Sequence, residues 1–271
     1  MAKPAFGIDE LTQAVRASAK YQAFDPHLVS RIAAQELGRH RKLDAAVKAV
    51  RTRLHQAAGA YLPPNYNYAQ LSSELLEIGT EPLPGQKTRL KEMMRLHAST
   101  RERIPYLDLF YQRCLEGCGE FSSVLDLACG LNPLAIPWMP LAEGFSYLAL
   151  DVVEPMLSAL QAWFGAAELN AQTEVLDLSA KIPAQQAELA LLLKTIPILD
   201  QLDPGAAPEL LASLKARVTL VSFPAQSLGG RQKGMRATYT RRMETLLASL
   251  GLTADFFEFP NELVWRITKS G

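Results

Sequence analysis

The chain has 271 residues, 48% of them apolar, with 28 Lys and Arg against 28 Asp and Glu and three cysteines. This composition excludes a disordered, collagen-like or disulfide-stapled chain, and no window holds the run of about 18 uncharged apolar residues that a membrane span needs. The zero net charge hides an asymmetry: residues 1–104 carry 16 basic against 10 acidic residues, residues 105–271 carry 12 against 18, and such a split directs attention to an anionic polymer as partner.

The first part of the chain reads as helices. Asp9 to Tyr21 spaces Leu11, Ala14, Val15 and Ala19 on one face. Asp25-Pro26 is an N-cap with proline at the first helical position; the helix it opens turns Leu28, Ile32 and Leu37 inward and Arg31, Gln35 and Arg39 to another face. Leu43 to Ala58 predicts a third helix, with Lys48, Arg51 and His55 along one stripe. The Pro/Asn/Tyr stretch from residue 61 to 68 and the Pro/Gly stretch from 81 to 85 predict breaks around a short helix. Lys87 to Arg103 predicts one helix that stops before Pro105.

From residue 105 the pattern changes. After a helix over Pro105 to Cys118, β-rich runs alternate with helical stretches: residues 122–128, 145–151, 173–176, 189–193 and 218–223. Residues 254–259 and 262–268 flank Pro260-Asn261 and predict an antiparallel hairpin. The alternation predicts a mostly parallel α/β sheet with helices on both faces. Two regions follow: a helical extension over 1–104, broken near 60–85, and a sheet domain over 105–271.

The first predicted strand ends in Asp126-Leu-Ala128-Cys-Gly130-Leu-Asn-Pro133. In an open α/β sheet, ligands bind beyond the carboxyl ends of the strands, and Gly130 lets backbone approach a ligand closely. Asp151 ends the second strand 21 residues after Gly130, the spacing at which an acid reaches a ribose diol. A dinucleotide fingerprint needs three glycines to admit a pyrophosphate; this turn has one, so NAD is disfavoured. S-adenosylmethionine, with a ribose and no phosphate, fits better. Asp177 follows the third strand, either to read an adenine amino group or to cap a turn. The cofactor's carboxylate needs a cation. Arg103, a helical neighbour of Thr100, can meet it bidentately; the competing fate is a surface salt bridge with Glu102 or Asp108. The four histidines show no metal spacing, and Cys114 and Cys118 read as core residues on a helix, not ligands. Sparse cysteines, and acids at Asp9 and Glu10 before any apolar run, lead to the expectation of reduced thiols and a cytoplasmic location. Trp138, Trp163 and Phe164 read as core.

Four segments together, His97-Ala-Ser-Thr-Arg-Glu-Arg103, Asp126 to Leu134, Leu193-Lys-Thr-Ile-Pro197 and Ser222 to Met235, resemble the aminoglycoside-resistance 16S rRNA methyltransferases, in the branch that modifies N7 of guanosine-1405 in the decoding site. The resemblance runs from about Lys20 to the C-terminus and includes Gly38-Arg-His40 and Arg51-Thr-Arg-Leu-His55. It implies a Rossmann-like class I methyltransferase sheet behind a helical extension that docks on the 30S subunit. It further implies that Thr100 and Arg103 serve the cofactor carboxylate, that Ala128 and Gly130 line its amino-acid end, that Asp151 binds ribose and that Asp177 with Leu178 binds adenine. Lys194 then faces the reaction centre or supports the cofactor. Lys20, Arg39, His40, Arg51, Arg53, Arg231, Lys233, Met235 and Arg236 are the expected rRNA contacts, and the enzyme is expected to act as a monomer.

Guanine N7 carries an in-plane lone pair and no proton, so methyl transfer to it needs alignment and electrostatic matching rather than a general base. No acid–base residue is therefore expected. Two competing readings differ in class. One keeps the cofactor but changes the acceptor to a decoding-site adenine N1, a small molecule or a protein. The other is a non-catalytic ribosome-binding module with a degenerate pocket, against which Gly130 and Asp151 argue.

Overall fold

The computed structural model describes residues 6–56, 61, 66–226 and 234–269. The N-terminal part contains α1 (Ile8–Arg16), α2 (Ala19–Gln22), α3 (Pro26–Glu36), α4 (Leu43–Leu54), α5 (Tyr68–Gly79), α6 (Leu83–Met94) and α7 (Ala98–Arg101). The predicted cap is present: the Asp25 carboxylate accepts from the N–H groups of His27 and Leu28, and Leu28 and Ile32 are buried while Leu37 is half-buried just past the helix end.

Three helix boundaries differ from expectation. Asp9–Tyr21 is two helices, because Ser18 takes an extended conformation (φ −91°, ψ 130°). The 81–85 stretch is a break only through Glu81 and Pro82, between α5 and α6; from Leu83 it opens α6, and a proline in a first turn removes only an N–H that had no helical partner. Lys87–Arg103 does not form one helix. His97 is extended (φ −112°, ψ 126°), and the Thr100 hydroxyl lies within hydrogen-bond reach of the Met94 carbonyl at 2.6 Å and the His97 carbonyl at 3.0 Å. A side chain thereby competes for backbone carbonyls of the interrupted turn.

After a 3-10 turn at Ile104–Tyr106 and α8 (Leu107–Cys114), the sheet region runs β1 (Phe121–Leu127), β2 (Leu141–Asp151), α9 (Glu154–Ala166), β3 (Ala171–Val175), β4 (Gln186–Leu193), α10 (Ile196–Leu202), α11 (Ala206–Ser213), β5 (Lys215–Pro224), α12 (Met235–Leu250), β6 (Asp255–Phe259) and β7 (Glu262–Thr268). One sheet takes the order β3-β2-β1-β4-β5-β7-β6. The first five are parallel neighbours, and β7 pairs antiparallel with β5 and β6. The Pro260-Asn261 hairpin is present as predicted.

Strand alternation divides the core. Leu125, Leu127, Ala190 and Leu192 pack with α10, α11 and α12 on one face. Val124, Tyr147, Leu189 and Leu191 pack with α8 and α9 on the other. This second core does not stop at residue 104: Leu11, Ile32, Val50, Leu75 and Leu90 of the N-terminal helices belong to it. α5 lies along α9 so closely that a Cβ at Gly79 would stand 2.6 Å from the Ala166 methyl. Trp163 and Phe164 are fully buried as expected. Trp138 is only half-buried; Lys87 and Lys91 lie over its ring and Asp108 accepts its N–H.

Candidate active site

The order of the strands reverses between β1 and β4, which run side by side at the centre of the sheet. A cavity lies beyond their ends, its empty space about 740 Å³ with the open solvent at its mouth included. Both strand ends leave in strained conformations. Ala128 (φ 54°) and Lys194 (φ 62°) occupy the left-handed region, which costs a residue with a side chain on the order of 1–3 kcal/mol. The neighbouring strands hold them there. Cys129 N–H donates to the Leu150 carbonyl at 2.9 Å, and Lys194 N–H donates to the Ser222 carbonyl and hydroxyl, each at 3.0 Å. Gly130 (φ 53°) completes the turn, and a Cβ there would meet the His97 ring at 2.8 Å.

Two carboxylates line the cavity from successive strand ends. Asp151 accepts from the backbone N–H groups of Gly130 (2.9 Å), Val152 (2.7 Å) and Val153 (3.1 Å). A carboxylate offers about four lone-pair sites, so about one remains for a ligand hydroxyl. Burial raises its pKa against these donors. Asp177 accepts from Ser179 N–H at 3.0 Å and from Arg31 Nε at 2.9 Å. Asp177 therefore caps a turn and lines the cavity at once, joined there by Leu178.

Beneath the strand ends runs a buried polar chain. Tyr147 and Asn132 donate to Asp126 at 2.6 and 2.9 Å, and burial still pushes the Asp126 carboxyl up to about 7. Tyr111 and Arg103 donate to Asn132, both at 2.7 Å. Arg103 also grips Glu262 bidentately, at 3.0 and 2.6 Å, with both side chains fully buried. The Ser222 hydroxyl lies 2.5 Å from the same carboxylate. Burial raises the Glu262 pKa, but Arg103, Lys194 and Ser222 outweigh it and the net shift is downward. Lys194 lines the cavity while its Nζ pairs with Glu102 at 2.6 Å.

The expected residues are thus placed unequally. Ala128, Gly130, Asp151, Asp177, Leu178 and Lys194 share one cavity. Thr100 and Arg103 are buried and do not line it. The surface alternative for Arg103 is overturned: its partner is Glu262, Glu102 pairs with Lys194, and Asp108 with Lys91. Glu262 carries no sequence signal beyond a polar residue beside an apolar run, and Ser222 entered only as the first residue of a motif segment, with no role expected of it.

The N-terminal helices build the opposite wall with Leu28, Tyr61, His97 and Ser99. They are tied to the sheet at the site itself. Phe24 bridges Val153, Asp25 N–H donates to the Val152 carbonyl at 2.8 Å, and Arg31 reaches Asp177. His97 and Tyr61 were not foreseen as wall residues, although His97 opens one of the motif segments.

The expected rRNA contacts fall into small groups. Arg39, His40 and Arg53 gather around the buried Glu36 carboxylate at 3.1, 3.3 and 3.2 Å. Lys20 meets His55, and Arg51 donates to the carbonyls of Ala14 and Val15. Met235 opens α12, where Arg236 pairs with Glu258. Arg231, Lys233 and the rest of residues 227–233 lie outside the described residues.

A nucleoside with a zwitterionic tail fits this cavity. The carboxylates of Asp151 and Asp177 line it beside apolar side chains, and Gly130 lines it with backbone alone, the His97 ring standing where a Cβ would be. Fold and site together define a Rossmann-like methyltransferase of the S-adenosylmethionine-dependent class. Residues 17–266 match the family model described as "Ribosomal RNA methyltransferase (FmrO)", and the chain belongs to that family. A 16S rRNA (guanine(1405)-N(7))-methyltransferase of Frankia casuarinae is 37% identical over 97% of this chain and 94% of its own length. One of Serratia marcescens is 34% identical over 97% and 99%. Among solved structures, the 16S rRNA methyltransferase RmtF in complex with S-adenosyl-L-homocysteine superposes with a TM-score of 0.83 at 32% identity, covering 97% of this chain and 98% of that one.

Proposed function

We propose that the chain transfers a methyl group from S-adenosylmethionine to N7 of guanosine-1405 in 16S rRNA, within the 30S subunit, and so confers resistance to 4,6-linked deoxystreptamine aminoglycosides. The observation that carries this reading is the placement of Gly130, Asp151, Asp177 and Lys194 around one cavity at the reversal of strand order, in a family whose named relatives act at that base.

The cofactor supplies an electrophilic methyl group. The chain's own residues bind and orient. Asp151 takes a ribose hydroxyl, and Asp177 with Leu178 takes the adenine edge. Ala128 and Gly130 flank the amino-acid end. Arg103, buried and outside the cavity lining, spends three of its five N–H donors on Glu262 and Asn132, which leaves two for the cofactor carboxylate. Thr100 acts through shape, by breaking the helix that presents His97 and Ser99. Because N7 has no proton to lose, alignment and charge matching do the catalytic work. Flipping the base out costs a few kcal/mol, and Lys20, Arg39, His40, Arg51, Arg53 and the 231–236 segment meet that cost through phosphate contacts. Residues 1–104 form the docking face, and the chain works as a cytoplasmic monomer.

The test is transfer of labelled methyl from S-adenosylmethionine to purified unmodified 30S subunits, free 16S rRNA and small-molecule acceptors, followed by base mapping. A single N7-methylguanosine at position 1405, confined to 30S, is expected. Transfer to another base or acceptor overturns the assignment.

A further inference from the structure

We propose that the Glu102 carboxylate reads the target base, accepting the N1–H of guanine while N7 faces the methyl group, an inference that rests on the acceptor proposed above. Glu102 caps the C-terminal end of α7, one turn past Ser99 of the cavity wall. Its backbone is pinned: its N–H donates to the Ala98 carbonyl at 3.1 Å and its carbonyl accepts from Asn261 Nδ2 at 3.2 Å. The side chain is 16% exposed, so a ligand can reach it. Oε2 accepts from Lys194 Nζ at 2.6 Å, and Oε1 has no hydrogen-bond partner among the described residues. Lys194 lines the cavity and also donates to the Ser99 carbonyl at 3.3 Å. An ammonium and then a carboxylate therefore follow one another outward from the cavity. Tyr61, another wall residue, feels the same carboxylate: burial, then Tyr239, then Glu102 push its hydroxyl up to about 12.

Guanine fits that order. With N7 toward the methyl group its edge runs N7, O6, N1–H, which is acceptor, acceptor, donor. The ammonium meets O6, and the free carboxylate oxygen meets N1–H. Adenine runs N7, 6-amino, N1, which is acceptor, donor, acceptor. Its amino group would face the ammonium and its N1 lone pair the carboxylate, and both contacts repel. The transfer itself adds to the preference. The S–CH3 bond breaks as the N7–CH3 bond forms, sulfur keeps the bonding pair, and the positive charge arrives on the purine ring. A hydrogen bond from N1–H to a carboxylate strengthens as that charge develops, so it favours the transition state over the ground state. Lys194 and Arg103 are each matched by a carboxylate, Glu102 and Glu262, so the ring gains its charge beside balanced pairs. No proton moves, because N7 offers a lone pair and N1 keeps its hydrogen.

The test is single-turnover transfer of labelled methyl to reconstituted 30S subunits carrying guanosine or adenosine at position 1405, the opposing base changed to keep the pair. Wild type is expected to prefer guanosine about 100-fold. Glu102→Gln keeps the size of the side chain and removes its charge. It is expected to slow transfer to guanosine about 30-fold, the loss of a hydrogen bond to a charged group, and to leave adenosine unslowed, so that the preference narrows to about threefold. Affinity for S-adenosylhomocysteine, read by isothermal titration, is expected to hold. Equal slowing on both bases leaves Glu102 only the task of holding Lys194 and overturns the proposal. An unchanged guanosine rate overturns it too, as does a loss of S-adenosylhomocysteine affinity that matches the loss of transfer. Should the variant fail to fold, wild type decides on subunits carrying 1-methylguanosine at 1405, which keeps N7 and O6 and lacks N1–H. Transfer about 30-fold slower than to guanosine is expected, and an equal rate overturns the proposal. Failure of wild type to methylate guanosine at 1405 is a failure of the acceptor reading instead.

Discussion

The junction beneath the strand ends and the outer face of the helices treat charge in opposite ways. Under the strand ends, Arg103 and Glu262 are both fully buried and locked to Asn132 and Ser222. In the helices, Glu36 is buried, but its partners reach the surface; the Arg39 side chain is 66% exposed. At the junction, Arg103 of the helical region and Glu262 of β7 spend their charges on each other beneath the cavity. The helices keep cations where an outside polymer can compete for them. The two programmes meet at the cavity, where the helices contribute the His97 imidazole, kept neutral by burial, and an apolar wall and the sheet contributes carboxylates.

The sharpest test sets Glu262→Ala beside Glu36→Ala. Stranding a fully buried Arg103 is expected to cost about 3–5 kcal/mol in urea unfolding. Freeing Arg39, His40 and Arg53 to water is expected to cost about 1 kcal/mol. Equal costs would break the comparison. A second test uses pH. Asp126 holds its proton more tightly folded (about 7) than unfolded, so its contribution is full below about pH 4 and is lost as pH rises through 7. Asp126→Asn keeps an acceptor for Tyr147 and removes the titration. Wild type should therefore lose stability relative to this variant by up to about 1.4 kcal/mol per pH unit between pH 5 and 7. Parallel melting curves at the two pH values would refute it.

Smaller effects probe the seam and the surface. Asp151→Asn should weaken S-adenosylhomocysteine binding about 30-fold by calorimetry, the worth of a hydrogen bond to a charged group. Arg31→Ala cuts the tie from α3 to Asp177 and should weaken the same binding about fivefold; no change would mean that the wall stands without that tie. Arg39→Ala should leave the melting temperature unchanged and flatten the salt dependence of 30S binding by about one unit of slope.

The strands, the hairpin and the Asp25 cap were readable because each is written in neighbouring residues: period-two apolar runs, Pro-Asn between two of them, an acid before a proline. The carboxylates Asp151 and Asp177 were readable as well, because a parallel sheet puts strand ends at one edge and their spacing is a local property. The break between α6 and α7 was not, since Thr100 bonds to carbonyls that helical periodicity alone assigns to the next turn. The Pro82–Gly85 segment misled for a related reason, as proline marks a helix start and a helix end alike.

Glu262 and His97 belong to tertiary structure alone. Arg103 and Glu262 are 159 positions apart, and nothing near either names the other. Periodicity and capping are decided by a residue's nearest neighbours, so a single chain displays them. Which buried charges pair, which imidazole stays neutral and which wall closes a cavity depend on the low-dielectric space formed when the helices fold back onto the sheet, and that space exists only once both regions are in place.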